Sequence, residues 1–109
     1  MATLFRNKIV SAVGTSPVKV YEAPVATYTT IIGLSLANVT AGIINASVYV
    51  QDDTSATAYY IKDVQIAANS ALRVVTNGEK LIIPEEYDLF VESSAAASVD
   101  VVMSYVEIT

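Results

Sequence analysis

The sequence predicts an all-β domain, a single antiparallel β-sandwich or jelly roll of about eight strands with an extended N-terminal arm. Three observations predict it. Short runs rich in Val, Ile, Thr and Tyr recur at spacings of about ten residues, with turn-forming residues between them. Within several runs, apolar and polar residues alternate with period two, as a half-buried strand requires. No stretch of useful length has the 3.6-residue apolar period of an amphipathic helix. The chain has 109 residues, which suits one domain. A chain of that size buries roughly 65% of the surface it exposes when unfolded, so a core without covalent staples is feasible.

The first run, Thr3 to Val13, ends at the turn Gly14-Thr15-Ser16-Pro17, and Val18 to Ala23 follows and stops at Pro24. In the next run strict alternation puts Tyr28, Thr30, Ile32, Leu34 and Leu36 on one face, with Thr29, Ile31, Gly33, Ser35 and Ala37 on the other. After a loop from Asn38 to Gly42, Ile44, Ala46, Val48 and Val50 alternate against Asn45, Ser47, Tyr49 and Gln51. The polar turn from Gln51 to Ser55 precedes a strand from Thr57 to Val64. Ser70 to Thr76 runs into Asn77-Gly78, a strong hairpin signal, and Glu79 to Ile83 returns to a stop at Pro84. Tyr87, Leu89 and Val91 face in, with Asp88 and Glu92 outward. Ser94 to Ser98 connects to a last strand with Val99, Val101, Met103 and Tyr105 inside. Residues 1–16 are thus an N-terminal arm or first strand, and residues 17–109 the sandwich domain.

The chain has no Cys, His or Trp, and it carries 11 acids against 6 bases for a net charge of −5. Disulfides, Cys or His zinc sites and every catalytic scheme that needs an imidazole are excluded. Net negative charge also argues against nucleic acid as a partner, because phosphate contacts need clustered Lys and Arg. The charge is unevenly placed: residues 1–21 hold Arg6, Lys8 and Lys19 and no acid, whereas the rest holds Lys62, Arg73 and Lys80 against all 11 acids. A basic N-terminal segment of this kind suits docking on a neighbour's acidic surface. A mean hydropathy of +0.49 raises the question of a membrane. The charge-free stretch Ala23 to Gln51 is long enough to span one, but Pro24, Gly33, Gly42 and its alternating polar residues give it strand periodicity. With Asn7-Lys8 breaking any N-terminal apolar run, the expectation is a soluble protein with no export signal and no membrane partner. High apolar content with few charges points to surfaces buried against other chains.

No catalytic, cofactor-binding or metal site emerges from the motifs. Asp52-Asp53-Thr54 offers oxygen ligands without calcium-loop spacing. Glu85 and Glu86, read as adjacent strand residues, would point to opposite faces and form no acid/base pair. Asp88 and Glu92 read as a solvated strand face. No Ser occupies a nucleophile elbow, and no glycine-rich loop could cradle phosphate. Asn38-Val39-Thr40 and Asn45-Ala46-Ser47 match the glycosylation pattern. Tyr59-Tyr60 straddles both faces of one strand, so at least one ring meets solvent or a partner. The candidate protein-interface residues are Arg6, Lys8 and Lys19 for electrostatic docking, and Tyr59 or Tyr60 for interface contact.

Beyond these readings, the chain resembles the small β-sandwich virion structural proteins of tailed bacteriophages, particularly those of aquatic and cyanobacterial phages. The resemblance is carried by Val18-Lys19-Val20-Tyr21-Glu22-Ala23-Pro24 leading to Thr29-Thr30-Ile31-Ile32-Gly33-Leu34-Ser35-Leu36-Ala37-Asn38, and by Ile66-Ala67-Ala68-Asn69-Ser70-Ala71-Leu72. It continues through Leu81-Ile82-Ile83-Pro84, Leu89-Phe90-Val91-Glu92-Ser93-Ser94, and Ser98-Val99-Asp100-Val101-Val102-Met103-Ser104-Tyr105-Val106, covering roughly residues 17–109. Where the family usually has Gly in a strand-connecting turn, this chain has Ala68-Asn69-Ser70. The resemblance implies a virion location after assembly in the host cytoplasm, no enzymatic activity, and major capsid or tail proteins as partners. It also implies a homo-oligomer, with a trimer favoured. The foremost expectation is a capsid decoration (cement) protein that stabilises the shell through arm and edge-strand contacts. The alternatives are a neck, tail or baseplate accessory and, from a different class, a carbohydrate-binding module. On the arm reading, deletion of residues 1–14 would weaken particle binding and leave the domain folded.

Overall fold

A computed structural model describes residues 2–76 and 78–109. Its strands in chain order are β1 (Thr3–Val13), β2 (Val18–Glu22), β3 (Tyr28–Asn38), β4 (Ile44–Gln51), β5 (Thr57–Ile66), β6 (Ala71–Val75), β7 (Leu81–Ile83), β8 (Asp88–Ser93) and β9 (Val99–Ile108). They form two antiparallel sheets. Sheet A has the order β1-β9-β3-β6, with β7 also beside β3, and sheet B has the order β2-β8-β4-β5. The chain crosses between the sheets at every connection except β4–β5 and β6–β7, and its first and last strands lie side by side. With β6 and β7 taken as one interrupted strand, this is the eight-stranded jelly roll. The all-β sandwich read from the sequence is the fold observed.

Residues 3–13 are a strand of sheet A, paired with β9 from Thr3↔Ile108 to Val13↔Val99. They are hydrogen-bonded into the domain along their length, which bears on the truncation experiment above. β6 and β7 differ from the hairpin expected around Asn77-Gly78. Both pair antiparallel with β3, β6 along Leu34–Ala37 and β7 along Thr29–Ile31. They therefore run in the same direction, end to end, because the long β3 offers one free edge opposite β9 that two short segments fill. Asn77 itself lies outside the described residues.

The core lies between the sheets and is wholly aliphatic at its centre. Ile31, Leu36 and Ile83 from sheet A meet Val48, Leu89 and Val91 from sheet B, all with no exposed surface. The inward residues of β9, Val99, Val101, Met103 and Tyr105, are all buried, as their alternation predicts. In β3 the alternation breaks. Ile31, Leu34 and Leu36 are inside and Ile32 is outside, because a bulge between Ile31 and Gly33 shifts the pairing to β9 by one residue. The single-face set expected for Ile32, Leu34 and Leu36 is thereby corrected.

Two loops show how polar groups close the barrel ends. Asn38 is buried, and its Nδ2 donates to the carbonyls of Gly42 (2.8 Å), Ile66 (3.1 Å) and Ala67 (3.2 Å). Its Oδ1 accepts from Thr40 N at 2.9 Å, so this amide ties the β3–β4 loop to the end of β5 and is enclosed away from any glycan attachment. Asn69 takes φ = 56° in the β5–β6 turn, a left-handed conformation that Asn tolerates. Gly14 is favoured for a different reason, close packing. A Cβ there would lie 3.2 Å from the backbone nitrogen of Ala97.

Candidate assembly surface

The register of sheet A determines which side chains face outward, away from sheet B. Phe5 lies opposite Val106, Asn7 opposite Ser104, and Ile9 opposite Val102. Across β9, Val106 faces Thr30, Ser104 faces Gly33, and Val102 faces Ser35, while Ile108 lies between Thr3 and Tyr28. On the far side Ile82 of β7 continues the row beyond Thr30. The outer face thus has two apolar rows, Phe5–Val106–Thr30–Ile82 and Ile9–Val102–Ser35, divided by the small polar row Asn7–Ser104–Gly33. Phe5 is 78% exposed and Ile9 70%, with Tyr28, Ile32, Ile82 and Val102 also exposed. The dividing row opens into a shallow cavity of about 260 Å³ lined by Ile32, Gly33, Ser35, Arg73, Val102 and Ser104. Among the described residues, charge reaches this face at its borders, at Arg73 opposite Ser35 and at Asp100 opposite Ala37.

These residues were not singled out from the sequence, although one signal was present. The outward positions of β9 include Val102, Val106 and Ile108, so β9 lacks the polar counter-face of a strand with one wet side. Contiguous exposed apolar surface of this kind marks an interaction site.

The predicted interface residues are dispersed. Arg6 and Lys8 occupy even positions of β1 and face the opposite way from Phe5 and Ile9. The Arg6 Nε donates to Glu107 Oε1 at 2.8 Å, and Glu107 is only 8% exposed. The other carboxylate oxygen accepts from the Tyr21 hydroxyl at 2.5 Å, which in turn lies 2.7 Å from Thr29 Oγ1. Arg6, Glu107 and Thr29 on three strands of sheet A are thus joined to Tyr21 on sheet B. Arg6 is paired with this carboxylate, while its side chain stays about half exposed, 51%. Lys19 is similarly engaged, 3.2 Å from Glu22 Oε1 and 3.7 Å from Asp88 Oδ2, and these contacts raise its pKa, the hydrogen bond to Glu22 foremost. Lys8 is exposed and makes no ion pair among the described residues.

Tyr59 and Tyr60 point to opposite faces of β5, as expected. Tyr59 is exposed on the outside of sheet B, its ring centroid 5.3 Å from that of Tyr49, which stacks on Phe90 at 5.0 Å. Lys62 lies 4.9 Å over the Tyr59 ring. Tyr49 and Phe90 are stacked, whereas the exposed Tyr59 ring is tilted against Tyr49. Tyr60 turns toward the core and donates its hydroxyl to Glu79 Oε1 at 3.1 Å.

The acidic candidates are consumed by local structure. Asp52 Oδ1 accepts from Thr54 N (2.9 Å), Thr54 Oγ1 (2.7 Å) and Ala56 N (2.9 Å), and the Thr54 hydroxyl above all holds its carboxyl below the usual range. Glu85 and Glu86 lie in the turn before β8 rather than in a strand, because Pro84 ends β7. There Glu85 Oε2 accepts from Ala26 N at 2.6 Å. Asp88 is more covered than a solvated face implies, its side chain 15% exposed.

Burial raises the pKa of Tyr21, Tyr49, Tyr60 and Tyr105 above the ordinary value. A raised folded-state pKa contributes stability that is complete below the unfolded value of about 10 and is lost as pH rises beyond it. The protein is therefore expected to be insensitive to pH near neutrality through these groups and to unfold in alkali. Tyrosinate absorbance should appear together with loss of the strand signal in circular dichroism. Ionisation of all seven tyrosines before any loss of structure would contradict this.

No protein-family model matches the chain, and no curated protein matches it. Solved structures of similar fold include the following two. One is from work on Bacillus endospore appendages that form disulfide-linked pili, at 9% identity and a TM-score of 0.59, covering 98% of this chain and 88% of that one. The other is a structure of the infectious bursal disease virus Gt strain, at 10% identity and a TM-score of 0.50, covering 97% of this chain and 32% of that one. At such identities the likeness is one of fold, and the chain spans about a third of the viral protein's length.

Proposed function

We propose that the chain is a non-catalytic structural protein of a virion, in the first place a decoration protein on the capsid of a tailed bacteriophage. The observation that carries this reading is the outer face of sheet A, an exposed, nearly uncharged apolar surface on a molecule of net charge −5. Such a face is costly to leave in water and stabilising to cover, at about 25 cal/mol per Å² of apolar surface buried. The fold neighbours support a structural role, since one belongs to pili and the other to a virus particle. The pili are described as disulfide-linked, whereas this chain has no Cys and must associate through non-covalent faces. A subunit that binds only the assembled lattice stabilises it by mass action.

The test is sedimentation of labelled protein with purified heads and, separately, with tails of the phage that encodes it. Saturable binding to heads at a symmetry-related stoichiometry is the expected result. Binding to tails alone would move the protein to the tail or baseplate, and binding to neither would overturn the virion reading.

A further inference from the structure

We infer that the outer face of sheet A docks a second copy of this chain, sheet against sheet, about a two-fold axis. The inference rests on the reading of this face as an assembly contact and names its occupant. Size is the first argument. Four strands about 4.8 Å apart, each contributing about seven residues at about 3.3 Å, make a face of roughly 19 by 23 Å. Two such faces, with Phe5 and Ile9 projecting from them, approach the ~1,000–1,200 Å² of total burial that a specific interface needs.

Charge is the second argument. Two copies of a molecule with net charge −5 repel through most approaches. Glu92 and the Lys19-paired Asp88 share the outside of sheet B with Tyr49, Gln51 and Lys62, and Asp52, Asp53, Glu85 and Glu86 sit in turns at one end of the sandwich. The outer face of sheet A is the broad surface on which like meets like with one carboxylate, Asp100, at its border.

Shape is the third. A two-fold contact requires ridge and groove on the same surface. The Phe5 and Ile9 rows are the ridges, and the Asn7–Ser104–Gly33 row is the groove between them, opening past Val102 and Ser35 into the cavity beside Arg73. Sheets so stacked pack about 10 Å apart, a spacing that interdigitated side chains fill. Edge-to-edge extension through β1 is opposed by its own residues: Arg6 and Lys8 on the inward side and a bulge at Ala12, where φ is 59°.

The experiment uses the full chain in sedimentation equilibrium over a wide concentration range, with Val102→Glu and Gly33→Gln as probes. Val102 is outward and half-exposed, so a carboxylate there remains hydrated in the monomer. At Gly33 an added Cβ meets nothing nearer than Ser104 Cβ at 3.9 Å, so the domain accommodates a side chain that fills the groove. Circular dichroism and thermal unfolding of both variants confirm the fold. The expected result is a wild-type dimer, with affinity weakened about a hundred-fold or more in Val102→Glu, where a carboxylate would be buried unpaired, and also weakened in Gly33→Gln. A monomeric wild type at all concentrations overturns the inference, as does a trimer or dimer indifferent to both substitutions. A monomer that still binds phage heads would remove the self-docking inference and keep the proposed function. A dimer that binds no phage particle would do the reverse.

Discussion

A chain lacking residues 1–14 is expected to lose cooperative folding. The deletion removes all of β1, whose partner β9 would become an edge strand of sheet A. It removes Val13, 1% exposed, and the partly buried Val10 from the core. It also unties the β8–β9 loop, because Gly14 O accepts from Ser93 N at 2.9 Å and Val13 O from Ser98 N at 3.0 Å. Finally it takes Arg6 from Glu107, leaving a largely buried carboxylate with the Tyr21 hydroxyl alone. Each lost hydrogen bond is worth about 0.5–1.5 kcal/mol net, and a domain of this size has only about 5–15 kcal/mol in total. Urea unfolding followed by circular dichroism is the check. A sigmoidal transition with a midpoint near that of the full chain would show the segment to be dispensable. Particle binding by this truncation would therefore report on folding, and the better probe of electrostatic docking is Lys8→Ala, a single exposed change.

Much of the fold is legible in the sequence because one face of most strands is buried and the alternation says so. In β9 the inward set Val99, Val101, Met103 and Tyr105 follows from period two alone. Pairing is less legible. Arg6 meets Glu107 at a separation of 101 residues, and nothing local in either segment names the other. The hairpin signal at Asn77-Gly78 is a local preference, overridden by the free edge of β3 that β6 and β7 occupy in line. The assembly face is the part most hidden. Alternation assumes one wet side, so Val102, Val106 and Ile108 read as tolerated surface residues until the register sets them beside Phe5, Ile9 and Tyr28.

Adjacent residues of identical chemistry offer the sharpest test of this architecture. Ile31→Ala is expected to destabilise the domain by about 3 kcal/mol, within the range of 2–5 for buried Ile or Leu to Ala. Ile32→Ala is expected to change stability by less than about 0.5 kcal/mol, as exposed substitutions do. Ile31 has no exposed surface and lies between Tyr105 of β9 and Leu81 of β7, where truncation leaves a cavity that hydrogen-bonded strands on both sides cannot close. Ile32, 44% exposed, sits at the bulge on the outer face and loses few contacts within its own chain. Strict alternation makes the opposite prediction, because it sets Ile32 with Leu34 and Leu36. Two Ile residues beside Gly33 give hydropathy no means of choosing the phase, and the bulge makes the choice by backbone geometry. Urea midpoints measured on dilute, monomeric protein decide between the two. Equal losses from both substitutions, or a larger loss from Ile32→Ala, would mean that β3 runs through without the bulge. In that event the outer face would lack both Ile32 and the groove beside Gly33.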